Sequence, residues 1–260
     1  MYDLKDRTAV VTGSAGGIGR AIARRLAAEG AAVAVLDANT DGAQETVSLI
    51  REAGDAATAI GVDVTDPDSV ERAFAEVARW RGDADVAPDI LVNNAGIITV
   101  SRVEDTRVEE WRKIFAVNVE GVFLCCRAAV PGMRARGSGK IINISSWFGK
   151  IGKPNYGAYS SSKAAVMGLT QSLAMEVAAD GVNVNAVCPG TIFETKLRDV
   201  ADAMSRDLNL STAEERAKAI PMGRVGKPDD VARVVTFLAG PESDYMTGQS
   251  VNITGGLLMH

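Results

Sequence analysis

Histidine is almost absent from this chain: among 260 residues the one histidine is His260, the last residue. A Ser-His-Asp hydrolase, or a zinc enzyme with histidine ligands, needs a histidine inside its fold. The sequence therefore argues against both classes and predicts no metal site. We expect His260 to lie either in a loose tail or across a subunit interface, toward a neighbour's pocket.

Cysteine is scarce, and long apolar runs are missing. Cys125, Cys126 and Cys188 lie in apolar contexts without metal-ligand spacing, which predicts buried free thiols in a reducing compartment. No run reaches the roughly 18 apolar residues of a membrane span, and residues 1–7 lack a signal-peptide core. We expect a cytoplasmic location and no membrane partner.

An excess of positive charge is also lacking. The net charge is −5, which argues against a nucleic-acid partner. A length of 260 residues, with 47% hydrophobic and 23% charged residues, is typical of one large globular domain. We find no linker, repeat or low-complexity segment, so a single domain spanning residues 1–260 is predicted.

Apolar runs alternate with stretches of helical periodicity along the chain. Near-continuous apolar strands require a parallel sheet that is covered on both faces. The pattern predicts an α/β fold, a doubly wound (Rossmann-type) parallel sheet of about seven strands with right-handed crossovers. Strands are predicted at about 8–12, 32–37, 57–62, 89–93, 139–145, 182–188 and 250–253. Helices are predicted at about 17–29, 40–53, 67–80, 107–136, 158–179 and 228–239.

A glycine-rich loop, residues 12–19, joins the first strand to the first helix. Glycines at this position permit close approach of the backbone to a pyrophosphate on the helix N-terminus. Asp37 ends the second strand, 18 residues after Gly19, near the position expected of a ribose-binding carboxylate. The context of strand, loop, helix and acid predicts a dinucleotide site.

Tyr159 and Lys163 lie four residues apart in a predicted helix, and Ser146 precedes the tyrosine by thirteen residues. Positions i and i+4 share a helix face, and a nearby cation lowers the pKa of a phenol. This predicts an acid/base pair, with Ser146 holding a substrate oxygen. The alternative is an ordinary surface Tyr/Lys pair. Ser145 and Tyr156 are the competing serine and tyrosine.

These motifs resemble those of the short-chain dehydrogenase/reductase family over essentially the whole chain. The resemblance rests on the spacing G-x-x-x-G-x-G at Gly13, Gly17 and Gly19, followed by Tyr-x-x-x-Lys. Further matches, in family order, are Asp63-Val64, Asn93-Asn94-Ala95-Gly96, Val117-Asn118-Val119, Ser146 and Pro189-Gly190.

The resemblance implies both sets of site residues. The catalytic residues would be Asn118, Ser146, Tyr159 and Lys163, with Asn118 holding a water that links Lys163 to solvent. The family often has a threonine four residues after the glycine of Pro-Gly, where this chain has Glu194, so either Thr191 or Thr195 would meet the nicotinamide. The implied cofactor-binding residues are Gly13, Ser14, Gly17, Ile18, Gly19, Asp37, Asp63, Val64, Asn94, Ala95, Gly96, Tyr159, Lys163, Pro189, Gly190, Thr191, Ile192 and Thr195.

Charge predicts that the cofactor is NAD. A carboxylate at Asp37 accepts hydrogen bonds from ribose hydroxyls but repels a 2′-phosphate. Family members that use NADP commonly place an arginine where this chain has Gly16, and residues 38–40 contain no basic side chain.

The function implied is hydride transfer between NAD(H) and a secondary alcohol or ketone. The C-terminal run 246–260 resembles polyol and sugar-alcohol members of the family, whereas 3-oxoacyl reductases and hydroxysteroid, diol or terpenoid alcohol dehydrogenases are alternatives. A catalytically silent NAD-binding protein would lack Ser146, Tyr159 or Lys163, and all three are present. We expect residues 191–220 to form a substrate lid with a helix start at 211–215. The family's usual homotetramer would form through helices 107–136 and 158–179. Candidate pocket residues are Trp147, Phe148, Lys153 and Asn155.

Overall fold

Seven parallel strands form one sheet in the order β3-β2-β1-β4-β5-β6-β7. The computed structural model describes residues 2–82, 87–208 and 217–260. The order reverses between β1 and β4, and ligands in such sheets lie at this switch point, beyond the carboxyl ends of the strands. The predicted doubly wound sheet is confirmed. The strands are β1 (Thr8–Thr12), β2 (Ala32–Asp37), β3 (Ala57–Gly61), β4 (Ile90–Asn93), β5 (Gly139–Ile144), β6 (Val182–Pro189) and β7 (Ser250–Ile253).

Helices cover both faces of the sheet. The predicted helix 107–136 is interrupted, because a π-helical turn, Ala116–Glu120, separates α4 from α5. The described helices are α1 (Gly17–Ala28), α2 (Thr40–Glu52), α3 (Pro67–Trp80), α4 (Val108–Phe115), α5 (Gly121–Arg136), α6 (Gly157–Val177), α7 (Lys196–Asp207) and α8 (Pro228–Ala239).

The core has two layers, one on each face of the sheet. Ile22 and Leu26 of α1 pack with Val235 of α8 on one face, and Val77 of α3 packs with Met133 of α5 on the other. Every residue of β1 is buried, as a strand covered on both faces requires. The cysteines are buried free thiols, as predicted.

The long helical stretch Val108–Arg136 is apolar enough, by length and composition, to cross a membrane. Its buried residues include Val122, Cys125 and Met133, which pack against the sheet in the core. Packing on the sheet therefore accounts for much of its apolar character.

The segment after β6 covers the carboxyl edge of the sheet. Ala201 and Met204 of α7 pack against Tyr156 and Val100, and the hydroxyl groups of Tyr156 and Ser205 lie 3.3 Å apart. These contacts place α7 beside Tyr156, and the substrate lid over residues 191–220 stays a prediction. The helix start predicted at 211–215 lies outside the described residues.

The C-terminal tail is anchored as far as Leu258. The hydroxyl of Thr254 donates to the Leu258 carbonyl at 3.0 Å and accepts from its N–H at 3.2 Å. Leu258 is buried, whereas Met259 and His260 are exposed. His260 is thus an exposed end on an ordered tail.

Candidate active site

The glycine loop is tight enough to require glycine. Gly13 and Gly17 have φ values of +64° and +52°, in the left-handed region that L side chains rarely adopt. A Cβ on Gly13 would lie 2.6 Å from the Ala95 Cα, and one on Gly19 would overlap the Gly13 carbonyl. Beside Gly16, by contrast, a Cβ would meet open space. The loop therefore presents bare backbone at the N-terminus of α1.

A clamp across the switch point holds this loop in place. The Asn94 amide Nδ2 donates to the carbonyls of Thr12 and Gly13 at 3.0 and 2.8 Å. The backbone N–H groups of Asn94 and Ala95 both donate to the Thr12 hydroxyl at 3.1 Å. Asn94 thus shapes the cofactor loop from the neighbouring strand. Sequence reasoning missed Thr12, whose role depends on the pairing of β1 with β4.

Ser14 builds the loop instead of facing out of it. Its side chain is fully buried, and its hydroxyl donates to the Val11 carbonyl at 2.7 Å. Its backbone N–H donates to the Leu36 carbonyl at 3.4 Å. The structure therefore favours a structural role for Ser14 over the predicted contact with the cofactor.

Asp37 ends β2 beside the glycine loop. Its Oδ2 accepts from the Ala15 N–H at 2.9 Å, and its Oδ1 accepts from the Asn39 N–H at 2.9 Å. Each carboxylate oxygen keeps a further lone pair, since a carboxylate can accept about four hydrogen bonds. Asp37 is therefore fixed in orientation and still able to accept from a ligand.

Asp63 and Val64 follow β3. The Asp63 Oδ1 accepts from the backbone N–H and hydroxyl of Thr65, at 2.9 and 2.7 Å. These bonds, the backbone one above all, hold the pKa of Asp63 below its usual value. Val64 packs closely against Gly121, where a Cβ would lie 2.8 Å from the Val64 Cγ2. Asp63 is thus an exposed turn carboxylate at the same edge of the sheet.

Tyr159 is almost buried, with 7% of its surface exposed. Burial raises its pKa to about 12, while hydrogen bonding with Ser146 and the charge of Arg198 act in the opposite direction. The expected lowering of this pKa by Lys163 is therefore wrong for the protein alone. The i, i+4 spacing brings the two groups together, but desolvation outweighs the attraction that the spacing suggested.

Lys163 lies deeper still, with 3% of its surface exposed. Its ammonium donates to the Ile144 carbonyl at 2.8 Å and lies 5.8 Å from the centre of the Tyr159 ring. Burial lowers its pKa to about 8. Since an ammonium has three N–H donors, two remain beyond the bond to Ile144.

The competing serine and tyrosine have structural partners. The Ser145 hydroxyl donates to the Lys163 carbonyl at 2.8 Å, and Tyr156 is paired with Ser205. Ser146 instead accepts from the Phe148 N–H at 3.2 Å, so its hydroxyl proton can be donated elsewhere. The geometry favours Ser146 and Tyr159.

Asn118 lies in the π-helical turn, and its side chain is fully buried. Its Nδ2 donates to the Ile97 carbonyl at 2.9 Å and to the Ser162 hydroxyl at 3.0 Å, and its Oδ1 accepts from the Ile97 N–H at 2.8 Å. A Cβ on Gly96 would lie 3.3 Å from that Oδ1 and 3.4 Å from the Lys163 Nζ. Both amide hydrogens of Asn118 are used in these bonds. The water that was predicted beside Asn118 would therefore have to donate its own hydrogen bond to an oxygen atom.

The turn after β6 reaches the glycine loop through Thr195. A Cβ on Gly17 would lie 3.3 Å from the Thr195 Cβ, and the Thr195 hydroxyl caps α7 by accepting from the Arg198 N–H at 3.1 Å. The preceding residue, Glu194, has a left-handed φ of +59°. Glu194 occupies the position where the family often has its threonine, which in this chain comes one residue later. Thr191 is buried, and its carbonyl accepts from the Gly226 N–H at 3.0 Å.

The remaining cofactor residues of this turn are fixed by the backbone. Gly190 donates its N–H to the Ile253 carbonyl at 2.8 Å, directly after Pro189 ends β6. Ile192 is buried and pairs with Gly226. On the other side of the site, Ile18 packs against the core at the start of α1.

An aromatic cluster borders the tyrosine. Trp147 and Phe148 have ring centres 4.8 Å apart, and the Phe148 ring meets Tyr159 edge-on at 6.4 Å. Trp147 is half-buried and Lys153 is exposed, while Asn155 has a φ of +68°. Phe148 is therefore the predicted pocket residue with the most direct contact to the catalytic ring. Arg198, which influences Tyr159, was missed because its sequence context shows only a helix.

The comparisons with known proteins agree with this geometry. The model of the family described as enoyl-(acyl carrier protein) reductase matches residues 13–258. The chain is 40% identical over 259 residues to a sorbitol dehydrogenase of Cereibacter sphaeroides, covering 97% of this chain and 98% of that protein. It is 40% identical over 254 residues to a 3-oxoacyl-(acyl-carrier-protein) reductase of Staphylococcus aureus, with the same coverage. It is 41% identical over 264 residues to 3beta-hydroxysteroid dehydrogenase 1 of Eggerthella lenta, covering 100% of this chain and 97% of that one.

A solved structure from Beutenbergia cavernae is also similar. It is provisionally assigned as an NAD(P)-dependent gluconate 5-dehydrogenase and holds NADP at low occupancy. The TM-score is 0.87 at 37% identity, and the match covers 98% of each chain. The family model, the full-length relatives and the geometry agree: the chain belongs to the short-chain dehydrogenase/reductase family, oxidoreductases that act on CH–OH groups with a nicotinamide cofactor.

Proposed function

We propose that this enzyme interconverts a secondary alcohol and a ketone with NAD(H), and that its substrate is a polyol or sugar alcohol. One observation carries the proposal: Ser146, Tyr159 and Lys163 meet at the carboxyl edge of the sheet, beside a glycine loop with a carboxylate at Asp37. Catalytic and cofactor groups thus share one edge, where ligands of such sheets bind.

The loop fits a dinucleotide. A side chain at Gly13 or Gly19 would collide with backbone, so the space above the loop is kept for a group that approaches the peptide closely. The N-terminus of α1 adds the N–H groups and partial positive charge that favour a pyrophosphate. Thr195 borders Gly17, which makes it our choice over Thr191 for the contact with the nicotinamide.

The proton chemistry belongs to Ser146, Tyr159 and Lys163. Bound NAD(H) would supply the hydride acceptor for the alcohol carbon and, in the reverse direction, the hydride donor. The Tyr159 phenolate takes the hydroxyl proton during oxidation, and the phenol returns it during reduction. Ser146 donates a hydrogen bond to the substrate oxygen. Lys163 supplies positive charge beneath the phenol, and Asn118 fixes the loop at Gly96.

The preference for NAD rests on Asp37. Its carboxylate is held by two backbone N–H groups and would repel a 2′-phosphate. Because one similar structure holds NADP, we propose titration of the enzyme with NADH and with NADPH, followed by nicotinamide fluorescence. NADH should bind about 10–100-fold more tightly, the range of one charge-assisted hydrogen bond. Equal or tighter NADPH binding would remove the NAD assignment.

A paired substitution sharpens this test. Asp37→Asn with Gly16→Arg removes the repelling charge and places a cation where a Cβ meets open space. The pair should reverse the preference toward NADPH. Ser48→Arg, at an exposed position of α2, serves as the control for added positive charge and should leave the preference unchanged.

The polyol assignment is supported by the sorbitol dehydrogenase relative and by the resemblance in the C-terminal run. The 3-oxoacyl reductase and hydroxysteroid dehydrogenase relatives keep those substrates as alternatives. A panel of polyols, 3-oxoacyl thioesters and hydroxysteroids, read by NADH change at 340 nm, separates them. Turnover of the thioester or steroid alone would replace the polyol. No turnover with any compound would favour the catalytically silent alternative.

We further propose a cytoplasmic homotetramer in which segment 191–208 covers the substrate. Trp111 and Phe123 are 40% and 46% exposed, and Trp111 stacks on Phe115 with ring centres 4.8 Å apart. This face of α4 and α5 fits a second copy of the chain, because large apolar side chains at a surface mark contact sites.

A further inference from the structure

Arg198 carries hydrogen-bond donors that the described residues leave unused. Its side chain is 14% exposed, and its Nε and Nη2 atoms are buried without a hydrogen-bond partner among those residues. Buried polar groups nearly always have partners, and an unpaired charged donor is costly. Such a guanidinium, on the helix that packs beside Tyr156, suggests that a ligand supplies the missing acceptor.

The position of Arg198 on α7 points toward the catalytic tyrosine. Thr195 contacts Gly17 of the cofactor loop, and Ala201 and Ser205 pack against Tyr156. Residues 195, 198, 201 and 205 recur at the spacing of one helix face, so Arg198 lies between the cofactor loop and the tyrosine side of the cleft. In agreement, its positive charge lowers the pKa of Tyr159, against the larger effect of burial.

An internal ion pair does not account for this side chain. Its Nη2 lies 3.0 Å from the Asp202 Oδ1, an i, i+4 pair on the same helix. The N–H groups of Nη2 do not point at that oxygen, however, since the atom makes no hydrogen bond. Nε, on the edge that forms bidentate pairs, is unpaired as well. A planar acceptor with two oxygens fits this edge.

We propose that Arg198 binds a carboxylate of the substrate, so that the substrate class is a hydroxy acid of the sugar-acid type rather than a neutral polyol. This inference rests on the proposed hydride transfer at the same site, and it replaces the neutral polyol with a polyhydroxy acid as the substrate. A neutral hydroxyl offers a single oxygen without charge, whereas a carboxylate offers one charged oxygen to Nε and a second to Nη2. The cofactor's pyrophosphate is the other anion of this cleft, but the α1 N-terminus already serves it.

Matched substrate pairs test the proposal. D-Gluconate and D-glucitol differ only at C1, a carboxylate in one and a hydroxymethyl group in the other. D-Xylonate with xylitol and 3-hydroxybutyrate with butane-1,3-diol are two further pairs. For the pair that the enzyme turns over best, we expect kcat/KM to favour the acid. Arg198→Met should lower the acid-to-alcohol ratio about 10–100-fold, the range of a lost charged hydrogen bond.

Two further variants keep the test sharp. Arg198→Lys retains the charge without the planar guanidinium. Its acid-to-alcohol ratio of kcat/KM should fall, but by less than in Arg198→Met. Arg206→Met, on the exposed side of the same helix, removes the same charge and should leave the ratio unchanged. NADH affinity, measured for every variant, reports on folding and on the cofactor site.

Three outcomes would overturn the proposal. The wild-type enzyme could prefer the alcohol in every pair, or Arg198→Met could leave the ratio unchanged. The third is weaker NADH binding in Arg198→Met with an equal loss for acid and alcohol, which would assign the guanidinium to the pyrophosphate. Failure of the proposed function itself would look different, with NADH bound but none of the six compounds turned over.

Discussion

At the scale of single residues, burial dominates the electrostatics of the catalytic pair. Spacing alone predicted that Tyr159 and Lys163 are neighbours, and they are. It did not predict the depth of both groups, which raises the pKa of the phenol to about 12 and lowers that of the ammonium to about 8. A sequence shows which residues are close along a helix. The desolvation of Tyr159 and Lys163 depends instead on how Phe148 and α7 cover the pair, which the sequence does not show. The same limit hid Thr12 and Arg198.

The depressed pKa of Lys163 predicts a pH-dependent stability. Its pKa is about 8 when folded and 10.5 in the reference state, so the unfolded chain binds more protons between these values. The free energy of unfolding should therefore rise with pH in that window. From pH 7 to 9.5 the contribution is about 2 kcal/mol. Tyr159, with its raised pKa, acts in the opposite direction only above about pH 10.

Urea unfolding at the two pH values measures this effect. Between pH 7 and 9.5, the free energy of unfolding should rise by about 2 kcal/mol less in Lys163→Met than in wild type, because methionine does not titrate. Lys140→Met is the control, since Lys140 forms an ion pair with Asp244 at the other end of the strands. An equal gain in wild type and Lys163→Met would show that Lys163 titrates normally.

At the scale of elements, periodicity located the strands, and the described helices other than α7, to within about two residues. Apolar runs bounded by glycine or acid gave the strands, because a strand covered on both faces has little choice of residue. The π-helical turn at Ala116–Glu120 was not predicted, since one extra residue per turn barely changes the apolar pattern. Its cause is tertiary: Asn118 turns inward to bond Ile97 and Ser162. Such turns are common at functional sites.

Substitution of Asn118 tests the importance of this turn. Asn118→Leu leaves the N–H and carbonyl of Ile97 without their partner and removes the bond that the Ser162 hydroxyl accepts. The change should cost about 2–4 kcal/mol of unfolding free energy. NADH binding should weaken as well, because the loop at Gly96 loses its support. Asn39→Leu removes one exposed cap of α2 and should cost about 1 kcal/mol. Equal losses in the two variants would argue against a special role for the turn.

At the scale of the whole molecule, the reversal of strand order explains why distant motifs form one site. The switch between β1 and β4 brings the glycine loop, Asn94 and the catalytic pair to one edge, which the alternation of elements predicted. Helix 107–136 was expected to supply both core and interface. The core part is present, since Ile114, Val122 and Leu124 are buried, whereas Phe123 is exposed and the interface stays a prediction.

A charge on the exposed face tests the assembly. Phe123→Glu places a carboxylate in the proposed contact and should convert the tetramer into smaller species in sedimentation velocity, because a buried unpaired charge is strongly unfavourable. Gln44→Glu adds the same charge at an exposed position of α2 and should not alter the assembly. A monomeric wild-type protein, or an unchanged Phe123→Glu tetramer, would remove this interface.

Tyr159 is the proposed proton-transfer group of this nicotinamide-dependent dehydrogenase, and the variant Tyr159→Phe removes its hydroxyl alone. NADH production should be measured for wild type, Tyr159→Phe and Tyr156→Phe with a substrate that the wild type accepts. We predict a loss of at least about 100-fold in kcat for Tyr159→Phe, with NADH affinity retained, and most activity kept in Tyr156→Phe. Full turnover in Tyr159→Phe, or a comparable loss in Tyr156→Phe, would show that Tyr159 is not the proton-transfer group.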